Sequence, residues 1–369
     1  MKQIIIMGGG LGGLVASIRL AKSGIHCTVI EKKSYPFHRV CGEYISNETI
    51  PYLKSLDLFP FEFTPPSITR FLLSSVSGKS TMMDLDLGGF GISRYTFDNF
   101  LYEKAKLLGV TFLLNTEVEE VTFSDNTFLI KTQSQNLKAD LVLGSFGKRS
   151  KLDVQLNRSF IQKRSPYVGI KYHLKTNHPH DLIALHNFKG GYCGMSNIED
   201  GKTTLCYLTH RDNLRQFKNI REMEENVLFQ NPLLKSVFIN SEFIFDKPET
   251  INEISFETKS PVENHILMIG DAAGMITPLC GNGMAMAIHA SKLASELIIE
   301  HINNSLSREE MERRYSNLWQ KNFGLRLWRG RQIQKLFGSP FASNIAINLA
   351  IHVKPIANSI MRSTHGDGF

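Results

Sequence analysis

Gln3-Ile4-Ile5-Ile6-Met7-Gly8-Gly9-Gly10-Leu11-Gly12-Gly13-Leu14 is the stretch that decides the fold. Its apolar run, Gln3 to Met7, reads as a strand that breaks into a glycine turn, with no small-residue cleavage site of the kind a signal peptide needs. A helix from Leu11 to Ser23 follows, then Gly24 as its C-cap and a second strand, His26 to Ile30, ending at Glu31. This is a β-α-β unit carrying Gly8-x-Gly10-x-x-Gly13. Glu31 stands about 21 residues beyond the middle glycine, the separation a dinucleotide-binding fingerprint requires. Gly8 allows the tight turn, Gly10 lets a pyrophosphate approach the backbone, and Gly13 lets helix and strand pack closely. The helix N-terminus offers unpaired N–H groups to phosphate. Glu31 can accept from ribose hydroxyls.

FAD and NAD both use such a unit, and a second motif separates them. Ile266-Leu267-Met268-Ile269-Gly270-Asp271-Ala272-Ala273-Gly274 is an apolar strand ending in Gly-Asp. Pro278 and Gly281-Asn282-Gly283-Met284 follow, opening a helix that runs to about Ile302. Asp271 can receive a ribityl hydroxyl. The helix starting near Gly283 can point its positive end at the flavin N1–C2=O region, where negative charge gathers on reduction.

At these two motifs the chain resembles the glutathione-reductase-like FAD superfamily, in the branch of para-hydroxybenzoate hydroxylase-type monooxygenases and geranylgeranyl reductases. Tyr35-Pro36-Phe37-His38-Arg39-Val40-Cys41-Gly42 is similar to the reductases' Pro-Arg-x-Lys-x-Cys-Gly segment, which passes beside the flavin. Arg94-Tyr95-Thr96-Phe97-Asp98-Asn99-Phe100-Leu101 resembles the family's Arg-x-x-Phe-Asp-x-x-Leu helix start. The resemblance implies FAD contacts from Gly8, Gly10, Leu11, Gly12, Gly13, Glu31, Lys32, Arg39, Arg94 and Val118. It extends them to Gly147, Gly270, Asp271, Pro278, Gly281, Gly283 and Met284, with Cys41 and Cys280 close to the ring as the catalytic candidates, where a thiol could donate a proton or shape the pocket. Tyr192, Gly194 and Met195 fall where the reductases carry Gly-Tyr-x-Trp-x-Phe-Pro on the substrate sheet, so they are the substrate candidates. Gly194 and Met195-Ser196 replace the Trp and Phe-Pro of that run, and Phe146 replaces the Asp of the monooxygenases' Gly-Ala-Asp-Gly. The halogenases' Trp-x-Trp-x-Ile-Pro run is absent, since the tryptophans are Trp319 and Trp328.

The implied fold is α/β: a Rossmann FAD domain with an antiparallel-sheet substrate domain and a helical C-terminus. Residues 1–65, 88–155 and 255–300 form a discontinuous FAD domain, 66–87 and 156–254 the substrate domain, and 301–369 the C-terminal segment. A chain of 369 residues with 42% hydrophobic and 21% charged residues can bury such a pair of cores. Its five cysteines show no CxxC spacing, which argues against a disulfide framework or a zinc site and fits a reducing cytoplasm. The net charge of +7 sits almost wholly past residue 301, without the zinc-finger, RNP or helix-turn-helix pattern of a nucleic-acid binder. No stretch is long and apolar enough to span a bilayer. Residues 311–337, aromatic and basic, read either as a helix packed on the FAD domain or as an amphipathic contact with a membrane.

The expected activity is that of an FAD-dependent oxidoreductase moving hydride via flavin N5 to or from an apolar, aromatic or polyene substrate, with NAD(P)H open as the reductant. A flavin monooxygenase and a non-catalytic flavin-binding or electron-delivery protein are the alternatives. Oligomeric state is not readable.

Overall fold

The computed structural model describes residues 2–252, 254–277, 282–334, 339, 341, 343–345, 347, 348 and 366–369. Among them, a six-stranded sheet runs in the order 262–263, 266–268, 141–144, 4–7, 27–30, 111–113. The strand β1 (Ile4–Met7) is buried at every residue and pairs in parallel with β2 (Cys27–Ile30) on one side and with Leu141–Gly144 on the other. A strand so placed has both faces covered, which is why it is apolar throughout instead of alternating. Only the edge pair, Val262–Glu263 against Ile266–Met268, is antiparallel. The helix α1 (Leu11–Ala21) crosses the long helix Gly283–Ile302 closely: Ser291 Oγ donates to the Gly12 carbonyl at 2.7 Å.

The second sheet has nine strands among the described residues, in the order 242–243, 167–175, 203–210, 191–197, 182–188, 67–74, 80–91, 44–46, with 249–252 pairing on 167–175. It differs from the expected antiparallel sheet at one junction, where Leu182–Phe188 runs parallel to Ser67–Ser74. Those strands belong to two separate excursions from the α/β core, so no hairpin forces them to oppose. The expected segment limits also shift. Tyr44–Ser46, assigned to the FAD domain, pairs with Ser80–Gly91, and that strand runs through the 87/88 limit. A short local strand such as Tyr44–Ser46 has no alternation to betray which sheet it joins.

One face of this sheet packs on the helix Ile220–Val227 through Met223 and Val227, and on Leu228 in the turn after it. The other faces the six-stranded sheet. Beyond residue 300, helices Arg308–Trp319 and Leu325–Gln334 are joined by a π-helical stretch, 320–324. Met311, Tyr315, Trp319, Phe323 and Leu327, spaced by four, are buried in the main core. Their apolar stripe is thus taken up by the protein itself, and Trp328 is left half-exposed outside it. A Cβ on Gly274 would lie 3.0 Å from the Trp319 ring.

Candidate active site

A cavity of about 470 Å³ opens where β1, β2 and the strands 141–144 and 266–268 reach their carboxyl ends. Between β1 and Leu141–Gly144 the chain connections diverge to opposite sides, the place where open α/β sheets bind ligands. Gly8 sits at φ +105°, and a Cβ there would lie 2.3 Å from the Ser145 carbonyl oxygen. A Cβ on Gly13 would meet the Gly8 carbonyl oxygen at 2.3 Å. Gly10 is different. The nearest protein atom to its hypothetical Cβ is 3.8 Å away, so its bare backbone borders open space. Gly147 and Gly283 border the same cavity with similar freedom. The result is a cradle that side chains would fill.

Charged groups fix the rim. Glu31 is buried, and its carboxylate accepts from Gly9 N at 3.0 Å and from Arg39 at 3.2 Å. Arg39 also reaches Asp98, which holds Arg94 through two hydrogen bonds of 2.7 Å. Arg94 is thereby kept charged, its pKa pushed up by the Asp98 carboxylate against the opposing effect of burial. On the opposite wall, Lys259 donates at 2.7 Å to the Lys148 carbonyl and at 2.7 Å to the Asp271 carbonyl, joining two cavity-lining loops. Burial pulls its pKa down to about 8. Arg158, buried with Asp153 at 2.9 Å, donates to the Ala272 carbonyl behind the same loop.

The far half of the cavity is apolar. Phe71, Leu185, Tyr192, Ile251 and Met275 line it and belong to one cluster on the inner face of the nine-stranded sheet. Gly194, opposite Leu185 and Cys206, leaves a recess: its Cβ would have only the Cys206 carbonyl oxygen within 4 Å, at 3.7 Å. Cys206 borders the cavity with its thiol kept protonated, the pKa pushed up to about 12 by burial.

A family model for an FAD binding domain matches residues 1–314. The chain belongs to that FAD-binding family. It is an FAD-dependent oxidoreductase related to geranylgeranyl reductases. Digeranylgeranylglycerophospholipid reductase of Methanocaldococcus jannaschii is 25% identical over 343 residues, covering 86% of this chain and 82% of the relative. An uncharacterised protein of Methanosarcina barkeri is 26% identical over 373 residues, covering 96% of this chain and 88% of that one. Among solved structures, a geranylgeranyl bacteriochlorophyll reductase-like protein from Thermoplasma acidophilum superposes with a TM-score of 0.78 at 18% identity. That match covers 98% of this chain and 96% of the other.

The residues present fit FAD. Gly8, Gly10, Leu11, Gly12, Glu31, Lys32, Arg39, Arg94, Val118, Gly147, Gly270, Asp271, Gly283 and Met284 all line the one cavity, and so do Cys41, Tyr192 and Gly194. Gly13 does not line it and serves the close packing against Gly8 instead. Met195 borders the cavity, but its side chain packs with Leu205 and Met223 on the sheet's other face. Alternation along the strand requires this, because Gly194 points inward. Pro278, Cys280 and Gly281 lie outside the described residues. Lys259, Arg158 and Glu43 were not anticipated. Each has at least one partner far away in sequence, and nothing local marks a charged side chain as a brace for a distant segment.

Proposed function

We propose that this FAD-dependent oxidoreductase is a reductase that hydrogenates an apolar, unsaturated substrate of prenyl, polyene or aromatic type. The observation that carries the reading is the continuity of one cavity, with a glycine phosphate cradle at one end and the apolar inner face of the substrate sheet at the other. Bound FAD supplies the hydride chemistry. Gly10 and the first turn of α1 would hold the pyrophosphate, Glu31 the adenosine ribose and Asp271 the ribityl chain. The helix Gly283–Ile302 begins at the cavity, and its N-terminal N–H groups favour negative charge there. Phe71, Leu185, Tyr192, Ile251 and Met275 exclude water and leave a charged metabolite without compensation for its lost hydration. The recess at Gly194 admits a bulky or flat group. Relatives named for a digeranylgeranyl lipid support a long prenyl chain as the substrate class.

The test is anaerobic. Protein reduced with dithionite is mixed with geranylgeranyl compounds, and flavin reoxidation is followed alongside product mass. Reoxidation with a gain of two hydrogens per double bond supports the reading, and parallel trials with NADPH and NADH identify the donor. Failure without oxygen, together with incorporation of label from dioxygen, would assign a monooxygenase instead.

A further inference from the structure

Glu43 follows Cys41 and Gly42 in the loop that borders the cavity, and it is fully buried at φ +53°. One carboxylate oxygen accepts from Arg94 N at 2.8 Å and from the Lys171 ammonium; the other is 2.7 Å from His173 Nε2. Lys171 is equally buried, and its ammonium also donates to the Arg39 carbonyl at 3.2 Å. Lys171 and His173 stand two residues apart on the strand Tyr167–Lys175 of the substrate sheet. A closed pair of opposite charges therefore joins that sheet to the loop beside the flavin cavity. Burial alone would raise the Glu43 pKa, but Lys171 and the His173 hydrogen bond bring it down to about 2, so the carboxylate stays ionised. His38, stacked on Tyr95 and edge-on to His173, is kept neutral by burial and by Lys171.

A buried ion pair seldom outdoes apolar packing in stability, so one placed beside a redox cavity asks for another role. Reduction adds negative charge to the flavin, and a charge buried beside the cavity that would hold it acts on that change with little screening. We propose that Glu43 and Lys171 are a compensating pair: their two opposed fields cancel at the bound flavin and so keep either buried charge from displacing its reduction potential. This rests on FAD occupying the cavity. Removing the carboxylate uncovers the ammonium and favours the reduced flavin; removing the ammonium uncovers the carboxylate and favours the oxidised one. Removing both restores the balance.

The experiment measures the potential of bound flavin against reference dyes in the full-length wild-type protein, Glu43→Gln, Lys171→Met and the double variant. FAD content is assayed first. The expected result is an upward shift for Glu43→Gln, a downward shift for Lys171→Met and a wild-type value for the double variant. Each single shift should change the oxidised-to-reduced ratio at fixed poise at least tenfold, about 30 mV for two electrons. Shifts in the same direction, or none, overturn the proposal while leaving FAD binding intact. If one single variant fails to hold flavin, the other and the double variant decide by the same signs. Loss of flavin from all three overturns it, because the pair is then a structural clamp. A wild-type protein that takes up no FAD overturns the cofactor assignment itself.

Discussion

The ammonium of Lys259 lies 2.7 Å from the main-chain carbonyl oxygen of Asp271, and a second bond of equal length ties it to Lys148. Two loops that line the FAD cavity are thus held by one side chain placed behind them. Lys259→Met keeps the length and loses both bonds. Hydrogen bonds to a charged group contribute about 1.5–3 kcal/mol each, part of which is realised only when the loops are ordered around the cofactor. The expected outcome is a tenfold or greater rise in the FAD dissociation constant, read by fluorescence titration. Affinity equal to wild type would remove Lys259 from the cofactor support.

Gly10→Val should abolish FAD uptake while leaving the protein folded. A Cβ at this position meets no protein atom closer than 3.8 Å, so the apoprotein tolerates the side chain, but the valine fills the cradle. Circular dichroism reports the fold and absorbance near the flavin bands reports occupancy. Full flavin content in the variant would contradict the placement of the pyrophosphate.

Gly194→Trp should retain FAD and lose turnover at least a hundredfold. The indole would enter the recess in the apolar half of the cavity, remote from the glycine cradle in the fold. Anaerobic reoxidation by a polyene or aromatic substrate with a bulky or flat end group is the measurement. Unimpaired turnover would show that this strand does not face the substrate.

Glu224 provides a stability test independent of activity. It is buried beneath the substrate sheet, with the hydroxyls of Tyr207 and Tyr172 donating to it at 2.5 Å and 3.0 Å. Burial pushes its pKa up to about 7 despite those bonds. Between about pH 4.5 and 7 the folded chain therefore holds a proton that the unfolded chain has released. Stability from this group is full below the unfolded pKa and is lost as the pH rises through 7. Glu224→Gln should flatten that slope and be the more stable form at pH 8, by on the order of 2–3 kcal/mol in urea unfolding. Parallel pH profiles for the two proteins would refute it.

What the sequence disclosed was whatever is written locally. Gly8, Gly10, Gly13 and Glu31 lie within one β-α-β unit, where spacing fixes geometry, and the Gly270-Asp271 turn is bounded by a strand and a helix that are both legible. Contacts across long separations were not. Glu43 and Lys171 are 128 residues apart, and neither sits in a pattern that anticipates the other. Tyr192, Gly194 and Met195 share one run that resembles a substrate-sheet motif, yet a strand sends neighbours to opposite faces, and Met195 packs in the other cluster. The parallel junction between Ser67–Ser74 and Leu182–Phe188 was hidden for a related reason: pairing between separate excursions depends on tertiary packing that no turn residue records.

A methyl group on Gly274 would press on the Trp319 ring at 3.0 Å, tighter than most side-chain contacts. Trp319 is on a helix of the C-terminal segment, whereas Gly274 closes the turn of the Asp271 motif, so that helix bears directly on the turn. An alanine at 274 therefore asks the indole to withdraw by a few tenths of an ångström. Packing in the C-terminal helices is thereby felt at the loop that would hold the flavin.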